Sequence, residues 1–175
     1  MEAQVNDAGR AVTPRSVGLK FGLISALVSI LLFLILTVSG LNAFDNSWSW
    51  IGMVISVALV FLAHKNFKDS GNGYMSYGQG VGIAFWITLT SVVINLVVTY
   101  AYVSFIDTGA MDLFYDKQAE EMAKKGMADD QIDMAVSWTK TLFWPMYLFG
   151  GMFFGILVGV IVSIFTQKKN PEPAF

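Results

Sequence analysis

The sequence predicts an all-α integral membrane protein, with four transmembrane helices in an antiparallel bundle and a short helical arm outside the membrane between helices three and four. Hydrophobic residues make up 55% of the chain and charged residues only 14%, against roughly 25% charged in an average soluble domain. The hydrophobic residues are concentrated in four blocks. One uncharged run, residues 81–105, joins a basic, glycine-rich turn to the largest polar segment, so it is expected to connect the two sides of the membrane.

Charge and cysteine content exclude several classes of protein. The net charge of -2 and the lack of a basic stripe interleaved with aromatic residues argue against a nucleic-acid partner. The sequence contains no cysteine, which removes disulfides, thiolate metal sites and thiol nucleophiles. We therefore expect no metal and no cofactor.

The first helix is predicted at about 17–41. It follows a polar tail (residues 1–20), and its uncharged part spans about 30 Å, the thickness of the hydrocarbon core. A cleaved signal peptide is the alternative, because a basic front and an apolar run followed by small residues are typical of one. The apolar run is longer than the usual core of such a peptide, and another hydrophobic element follows at once, which favours a transmembrane helix.

The second helix, at about 48–64, rests on the shortest apolar run. A buried or re-entrant segment is the alternative at this length. Trp48 and Trp50 favour a span, because indole rings prefer the membrane interface. His64, the only histidine, would mark the opposite interface, and a plain interfacial or capping role is expected for it rather than metal ligation or base catalysis.

The third helix is predicted at 77–105, after a turn rich in glycine and asparagine. The turn lacks the strand before and the lysine or serine after that a phosphate-binding loop requires. Gly78 and Gly82 are expected to share a helix face that allows close backbone approach.

Asn95 lies near the middle of this third helix, where burying an unpaired amide costs on the order of 4 to 8 kcal/mol by alkane transfer. Ser91, Asn95 and Thr99 are spaced by four and share one face. We expect an interhelical hydrogen-bond stripe that fixes packing. A substrate or ion path is the alternative, but such paths usually contain ionisable groups.

Residues 106–140 form the predicted arm. It contains eight carboxylates and four lysines. A helix is expected at residues 112–125, with Gly126 just past its end, and a second helix can start near Asp129 and continue into the membrane. A calcium site is the alternative reading of the acids, but no Asp-x-Asp-x-Asp-Gly loop is present, so a solvated helix face is expected.

The fourth helix is predicted at about 141–166, with Pro145 near its start, where a missing N–H costs least. Small residues recur every four positions along it: Gly151, Gly155, Gly159 and Ser163. The first helix offers a matching row: Gly18, Gly22 and Ala26. Rows of this kind allow close helix approach, so we expect helices one and four to pair. A homo-oligomer seam is equally compatible with the pattern.

Orientation follows from the lysines and arginines near the helix ends. Seven of them fall in the tails and the turn after the second helix, and four fall in the arm. This excess predicts that both termini, including the tail 166–175, are cytoplasmic and that the arm is extracytoplasmic. Residues 21–165 then form one transmembrane domain that includes the arm.

Four features give the chain a family resemblance: the run of residues 73–80, the helix end Phe105-Ile106-Asp107, the arm segment 125–132 and a glycine-rich last helix ending Lys168-Lys169. Together they resemble the bacterial membrane family catalogued as domain of unknown function 4199, over residues 17–169. The resemblance implies a four-helix protein of the bacterial inner membrane with a helical segment between the last two helices. It carries over no catalytic residue. Ala128 departs from the serine or threonine cap common in the family.

The expected function is that of an accessory or interaction protein of the cell envelope, which meets a protein partner through residues 106–140. A small transporter or channel subunit is the alternative, although no Asp, Glu, Lys or Arg interrupts the four apolar runs. An enzyme is not expected, because no serine lies in a nucleophile elbow. The helix-packing candidates are Gly151, Gly155, Gly159, Ser163, Gly18, Gly22 and Asn95.

Overall fold

The computed structural model describes residues 4–5, 11–44 and 46–170. A two-residue antiparallel pairing of β1 (Gln4–Val5) and β2 (Ala11–Val12) precedes the helices. The helical elements are α1 (Pro14–Val38), a 3-10 turn (Asn46–Trp48), α2 (Ser49–Asp69), α3 (Tyr77–Phe105), α4 (Ala110–Lys124) and α5 (Asp129–Thr166). In the described part of the chain, α1, α2, α3 and α5 are long and apolar enough to cross a membrane. The all-α membrane fold is confirmed.

Capping boxes set the starts of α1 and α3. The Thr13 hydroxyl accepts the Ser16 N–H at 3.1 Å, and the Ser16 hydroxyl in turn accepts the Thr13 N–H at 3.2 Å. Ser76 and Gln79 make the same reciprocal pair at α3. Such pairs satisfy backbone donors that have no partner within the helix.

The second span is longer than its apolar run. α2 contains 21 residues, which is about 30 Å at 1.5 Å per residue. The helix continues past His64 to Asp69, because polar residues near a helix end keep the backbone hydrogen bonds while their side chains leave the apolar zone. By length, α2 is a full span.

The arm helix α4 ends as its sequence predicts. Gly126 has a φ of +80°, the left-handed conformation that glycine adopts without strain. The Gly126 N–H donates to the Ala123 carbonyl at 2.9 Å, and the Met127 N–H donates to the Met122 carbonyl at 3.2 Å. This is the Schellman arrangement, and the placement of Gly126 is confirmed.

The fourth span starts earlier than predicted. α5 contains 38 residues from Asp129 onward, so the second arm helix and the last span are one continuous helix. Pro145 therefore lies inside the helix rather than near its start, and the Thr141 carbonyl has no N–H to accept from at that position. Residues 129–140 are more polar than the rest of α5, but the helix is continuous from this polar part into the apolar span.

The four long helices are arranged around the bundle in the order α1, α3, α5, α2. Successive spans run in opposite directions, as expected for an antiparallel bundle. The neighbours α1 and α3 nevertheless run parallel to each other, because a whole antiparallel span separates them in the chain. α4 packs on α5 outside the bundle.

Buried side chains are concentrated at one end of the bundle, where α1 and α3 begin and α2 and α5 end. This end contains fully buried Phe67, Met75 and Ile83. Along the outer faces, large apolar side chains are exposed: examples are Leu27, Leu31, Ile35, Met53, Phe61, Phe149, Phe153 and Phe154. A surface of this composition suits contact with lipid tails rather than water.

Candidate functional site

The small residues of α1 pack against α3. A Cβ placed on Gly18 would collide with Trp86, and one placed on Gly22 would lie 2.6 Å from the Cβ of Thr90. Both approaches are closer than van der Waals contact, so glycine is the residue that fits at these two positions. α3 therefore approaches α1 backbone to backbone here.

The small residues of α5 pack against the other side of the same helix. A Cβ on Gly151 would lie 3.1 Å from a Val92 methyl group. Cβ atoms on the next two glycines of the row would collide with α3 side chains: Gly155 with Thr88 and Gly159 with Ala84. The expected pairing of helices one and four is therefore wrong. Both rows of small residues, the one on α1 and the one on α5, pack against α3.

The homo-oligomer seam proposed for these glycines loses its sequence support for the same reason. Gly155 and Gly159 are covered by α3 within one chain, so their spacing is accounted for without a second copy. A homo-oligomer stays a prediction.

Ser163, the last member of the row, lies against the start of α3. Its side chain is fully buried, and its hydroxyl donates to the Gly159 carbonyl at 2.6 Å. A Cβ on Gly80 would lie 2.7 Å from Ser163 Oγ, whereas Gly78 has open space around it. The expectation that Gly78 and Gly82 provide the close approach is wrong, because the face of α3 that approaches α5 is the one that carries Gly80.

Asn95 does not form an interhelical hydrogen bond. Its Nδ2 donates to the Ser91 carbonyl of its own helix at 2.8 Å, and the Ser91 hydroxyl donates to the Thr88 carbonyl at 3.2 Å. Short polar side chains can satisfy themselves on the backbone one turn earlier. Ser91 and Asn95 thus satisfy their polar groups within α3. Thr99 is buried and makes a side-chain hydrogen bond to Tyr147 of α5, so the predicted interhelical stripe is present at this one of its three positions.

His64 is fully buried, which corrects the expectation of an interfacial residue. Its Nε2 lies 3.0 Å from the Gly80 carbonyl and its Nδ1 lies 2.7 Å from the Thr166 hydroxyl. A carbonyl only accepts, so in the neutral ring Nε2 donates to Gly80 and Nδ1 is an acceptor. The Thr166 hydroxyl has a single proton, which it can give either to Nδ1 or to the Val162 carbonyl at 2.8 Å. Lys68 donates to the Thr166 carbonyl at 3.0 Å. One side chain of α2 therefore connects the start of α3 to the end of α5.

A short backbone pairing closes the same end. The Met75 N–H donates to the Lys168 carbonyl at 2.9 Å, and the Lys168 N–H donates back to the Met75 carbonyl at 2.8 Å. Both nitrogens of His64 have partners and the ring has no exposed surface. The arrangement therefore holds helices together and leaves no face for a ligand. Sequence spacing gave no signal of it, since its members lie about 100 positions apart.

The arm carries a second set of specific contacts. Tyr115 of α4 is buried against α5, and the Lys140 ammonium lies 5.1 Å from the centre of its ring. Burial, and secondarily the Asp112 carboxylate, raise the pKa of Tyr115. The phenol therefore stays neutral at neutral pH, and its ring interacts with the lysine as a cation–π pair. Ile132 of α5 is buried as well.

The outer surface of the arm is acidic and solvated. Its exposed carboxylates are Asp112, Asp116, Glu120, Glu121, Asp129, Asp130 and Asp133. Glu120 has Lys124 at 3.7 Å, but both side chains are largely exposed, and such pairs contribute little to stability. Within the described residues, no three His, Cys, Asp or Glu side chains are grouped to hold a metal ion. The acids are therefore a charged surface.

The comparisons with known proteins give one match. A family model described as "Protein of unknown function (DUF4199)" matches residues 20–168, which is well over half of the chain. Neither curated proteins nor solved structures give a match. The match covers α2, α3, α4, α5 and all but the first six residues of α1. The chain therefore belongs to the family described as protein of unknown function (DUF4199).

Proposed function

We propose that this membrane protein is an accessory or interaction protein of the bacterial cell envelope, without enzymatic activity. In this proposal the four spans anchor it in the inner membrane, and residues 106–140 present an acidic surface to a partner on the extracytoplasmic side. The observation that carries the proposal is the continuity of α5 from the arm into the span.

A continuous helix makes the arm a rigid extension of the bundle. The 38 residues of α5 extend about 57 Å, and a span needs about 30 Å, so about 25 Å of helix projects beyond the hydrocarbon core. α4 packs along that projection through Tyr115. A preorganised surface loses less entropy on binding than a flexible loop does, which suits a docking role.

The charge of the arm sets the chemistry of the partner. Eight carboxylates against four lysines leave four net negative charges in residues 106–140, and seven of the carboxylates are exposed. Complementary charge raises association rates and selects partners. The proposed partner is an envelope protein with a basic surface.

The orientation of the bundle supports the same arrangement. Six of the ten lysines and arginines in the described residues gather at the end opposite the arm: Arg15, Lys20, Lys65, Lys68, Lys168 and Lys169. Arg15 lies 5.0 Å from the centre of the Trp86 ring, and Lys168 lies 5.3 Å from that of Tyr74. A basic end with interfacial aromatics is typical of the cytoplasmic side.

The alternative function, a small transporter or channel subunit, has no support from the surroundings of Asn95. Asn95, the polar residue that could revive it, bonds to its own helix. The two clefts described in this chain are not lined by Asn95. The accessory role is therefore the better-supported function.

The test is purification of the tagged, full-length chain from its native membrane in mild detergent, with identification of what accompanies it. We expect a stoichiometric partner that the arm variant Asp130→Asn/Asp133→Asn, which lacks two negative charges, retains much more weakly. The matched control, Lys168→Gln/Lys169→Gln, removes the same number of charges from the opposite end and should leave the partner bound. Equal recovery of the partner with both variants, or a wild-type protein without any partner, would contradict the proposal.

A further inference from the structure

A cleft of about 160 Å³ opens where the end of α1, the loop after it and the start of the arm meet. Part of its wall is aromatic, because Phe33, Phe44 and Tyr102 line it. The Phe33 ring meets those of Phe44 and Tyr102 at centroid distances of 5.8 and 5.1 Å, both edge to face. Edge-to-face packing holds rings in place, so this wall is formed before any ligand arrives.

One carboxylate lies in this aromatic setting. Among the described residues that line the cleft, Asp107 is the one Asp, Glu, Lys, Arg or His side chain. The lining therefore offers this carboxylate no basic partner. A carboxylate beside aromatic rings attracts organic cations, since ring faces and the negative charge both favour an ammonium group.

A hydrogen-bond donor in the same lining has no acceptor. Asn42 Oδ1 accepts the Phe44 N–H at 2.9 Å, which fixes the orientation of the amide and assigns Nδ2 as the remaining donor. Nδ2 is buried, and no acceptor among the described residues lies within hydrogen-bonding distance. Buried donors are nearly always paired, so this one calls for an acceptor oxygen from outside the chain.

We propose that this cleft binds a small organic ammonium that carries an acceptor oxygen, of the ethanolamine phosphate type. The ammonium lies against Asp107 and the rings, and a phosphate or ester oxygen accepts from Asn42 Nδ2. The volume equals about five waters' share of liquid, which suits an ethanolamine group. This inference is independent of the proposed accessory role, since it concerns a different surface.

Two sources can supply this chemistry. The cleft lies beside the ends of the spans α1 and α3, at the level where lipid headgroups lie, so phosphatidylethanolamine is one source. Soluble phosphoethanolamine is the other. The probes for the two sources are nanodiscs of stated lipid and the soluble compound itself.

The lipid probe is the full-length chain in nanodiscs of mixed phosphatidylethanolamine and phosphatidylglycerol, with the retained lipid counted by native mass spectrometry. We expect about tenfold preferential retention of phosphatidylethanolamine, and loss of this preference in Asp107→Asn, which keeps the shape of the side chain and removes its charge. The matched control Asp112→Asn, exposed on the arm and outside the cleft lining, should keep it.

The soluble probe is phosphoethanolamine added to the detergent-purified chain, read as a rise in unfolding temperature. A rise for phosphoethanolamine, together with retention of the lipid, means that the cleft accepts both sources; a rise without lipid retention assigns the soluble one. Inorganic phosphate alone, which lacks the ammonium, should give no rise. Lipid retention without any rise assigns the membrane source.

Asn42→Asp separates the two halves of the site. Aspartate keeps the acceptor for the Phe44 N–H and removes the Nδ2 donor, so this variant should lose affinity for phosphoethanolamine while keeping that for ethanolamine, which has no phosphate. The proposal is overturned if phosphatidylethanolamine is not retained preferentially and phosphoethanolamine also gives no rise, or if Asp107→Asn binds like the wild type. Unfolding temperatures of the unliganded variants distinguish loss of the site from loss of the fold.

Discussion

At the scale of single residues, the positions of glycines decide how closely the helices approach. Gly18 and Gly159 have α3 side chains where their own Cβ would be, whereas Gly52 and Gly150 have open space. The sequence does not distinguish these two kinds of glycine, because all four lie within predicted helices. The cost of a side chain therefore depends on the neighbouring helix and not on helix propensity alone.

The close packing of α5 on α3 can be tested by exchanging the two residues that meet there, Gly159 and Ala84. A methyl group on Gly159 would collide with the Ala84 side chain, so Gly159→Ala should destabilise the bundle by about 1–3 kcal/mol through overpacking. The double variant Gly159→Ala/Ala84→Gly puts a single methyl group back into the gap and should recover most of the loss. Unfolding temperatures in mild detergent measure both. Gly150→Ala is the control, and a neutral effect of Gly159→Ala alone would contradict the packing.

The buried histidine gives a second prediction. His64→Leu keeps an apolar volume but removes the partners of Gly80 and Thr166, and loss of buried hydrogen bonds costs about 1–3 kcal/mol. We expect a lower unfolding temperature and faster hydrogen exchange where Met75 pairs with Lys168. Lys65→Leu, at the exposed next position, should leave both unchanged. An unaltered exchange rate in His64→Leu would show that the histidine does not hold this end together.

At the scale of elements, the sequence predicts helix ends well where a local signal marks them. The start of α3 coincides with the Ser76–Gln79 capping box, and the end of α4 coincides with Gly126. The start of α5 has no such mark at the membrane surface. Polar residues replace apolar ones before Lys140, and Pro145 resembles a start signal, but the helix runs through both. Tertiary packing against α4 supports this polar part.

The continuity of α5 can be measured by pulsed electron paramagnetic resonance, since the chain has no cysteine of its own. Spin labels at Asp130→Cys and Gly150→Cys should give a narrow distribution centred near 30 Å, the length of a twenty-residue step along one helix. The pair Gly150→Cys and Gln167→Cys does not cross Pro145 and is the control. A broad distribution for the first pair alone would locate a hinge at the proline and remove the rigid arm.

At the scale of the whole molecule, the sequence predicts four spans but not which of them touch. A row of small residues predicts that another helix packs closely against it, but it does not predict which helix. From spacing alone, the rows on α1 and α5 could pack against each other or against α3. The arrangement is decided by side chains such as Thr88 and Trp86 that fit beside the glycines. The cleft is harder still, because Phe33, Asn42 and Asp107 come from separate segments with no shared spacing.

The orientation of the whole molecule is the last prediction. Seven lysines and arginines near the helix ends fall on the side of the termini and four on the side of the arm, and this excess predicts that the termini are cytoplasmic. A cysteine at Asp116 should therefore react with a membrane-impermeant maleimide in intact spheroplasts. A cysteine at Lys65 should react only after permeabilisation. Both sites are exposed in the structure, so burial cannot explain a difference between them. The reverse pattern would put the acidic arm in the cytoplasm, and the partner would have to be sought there.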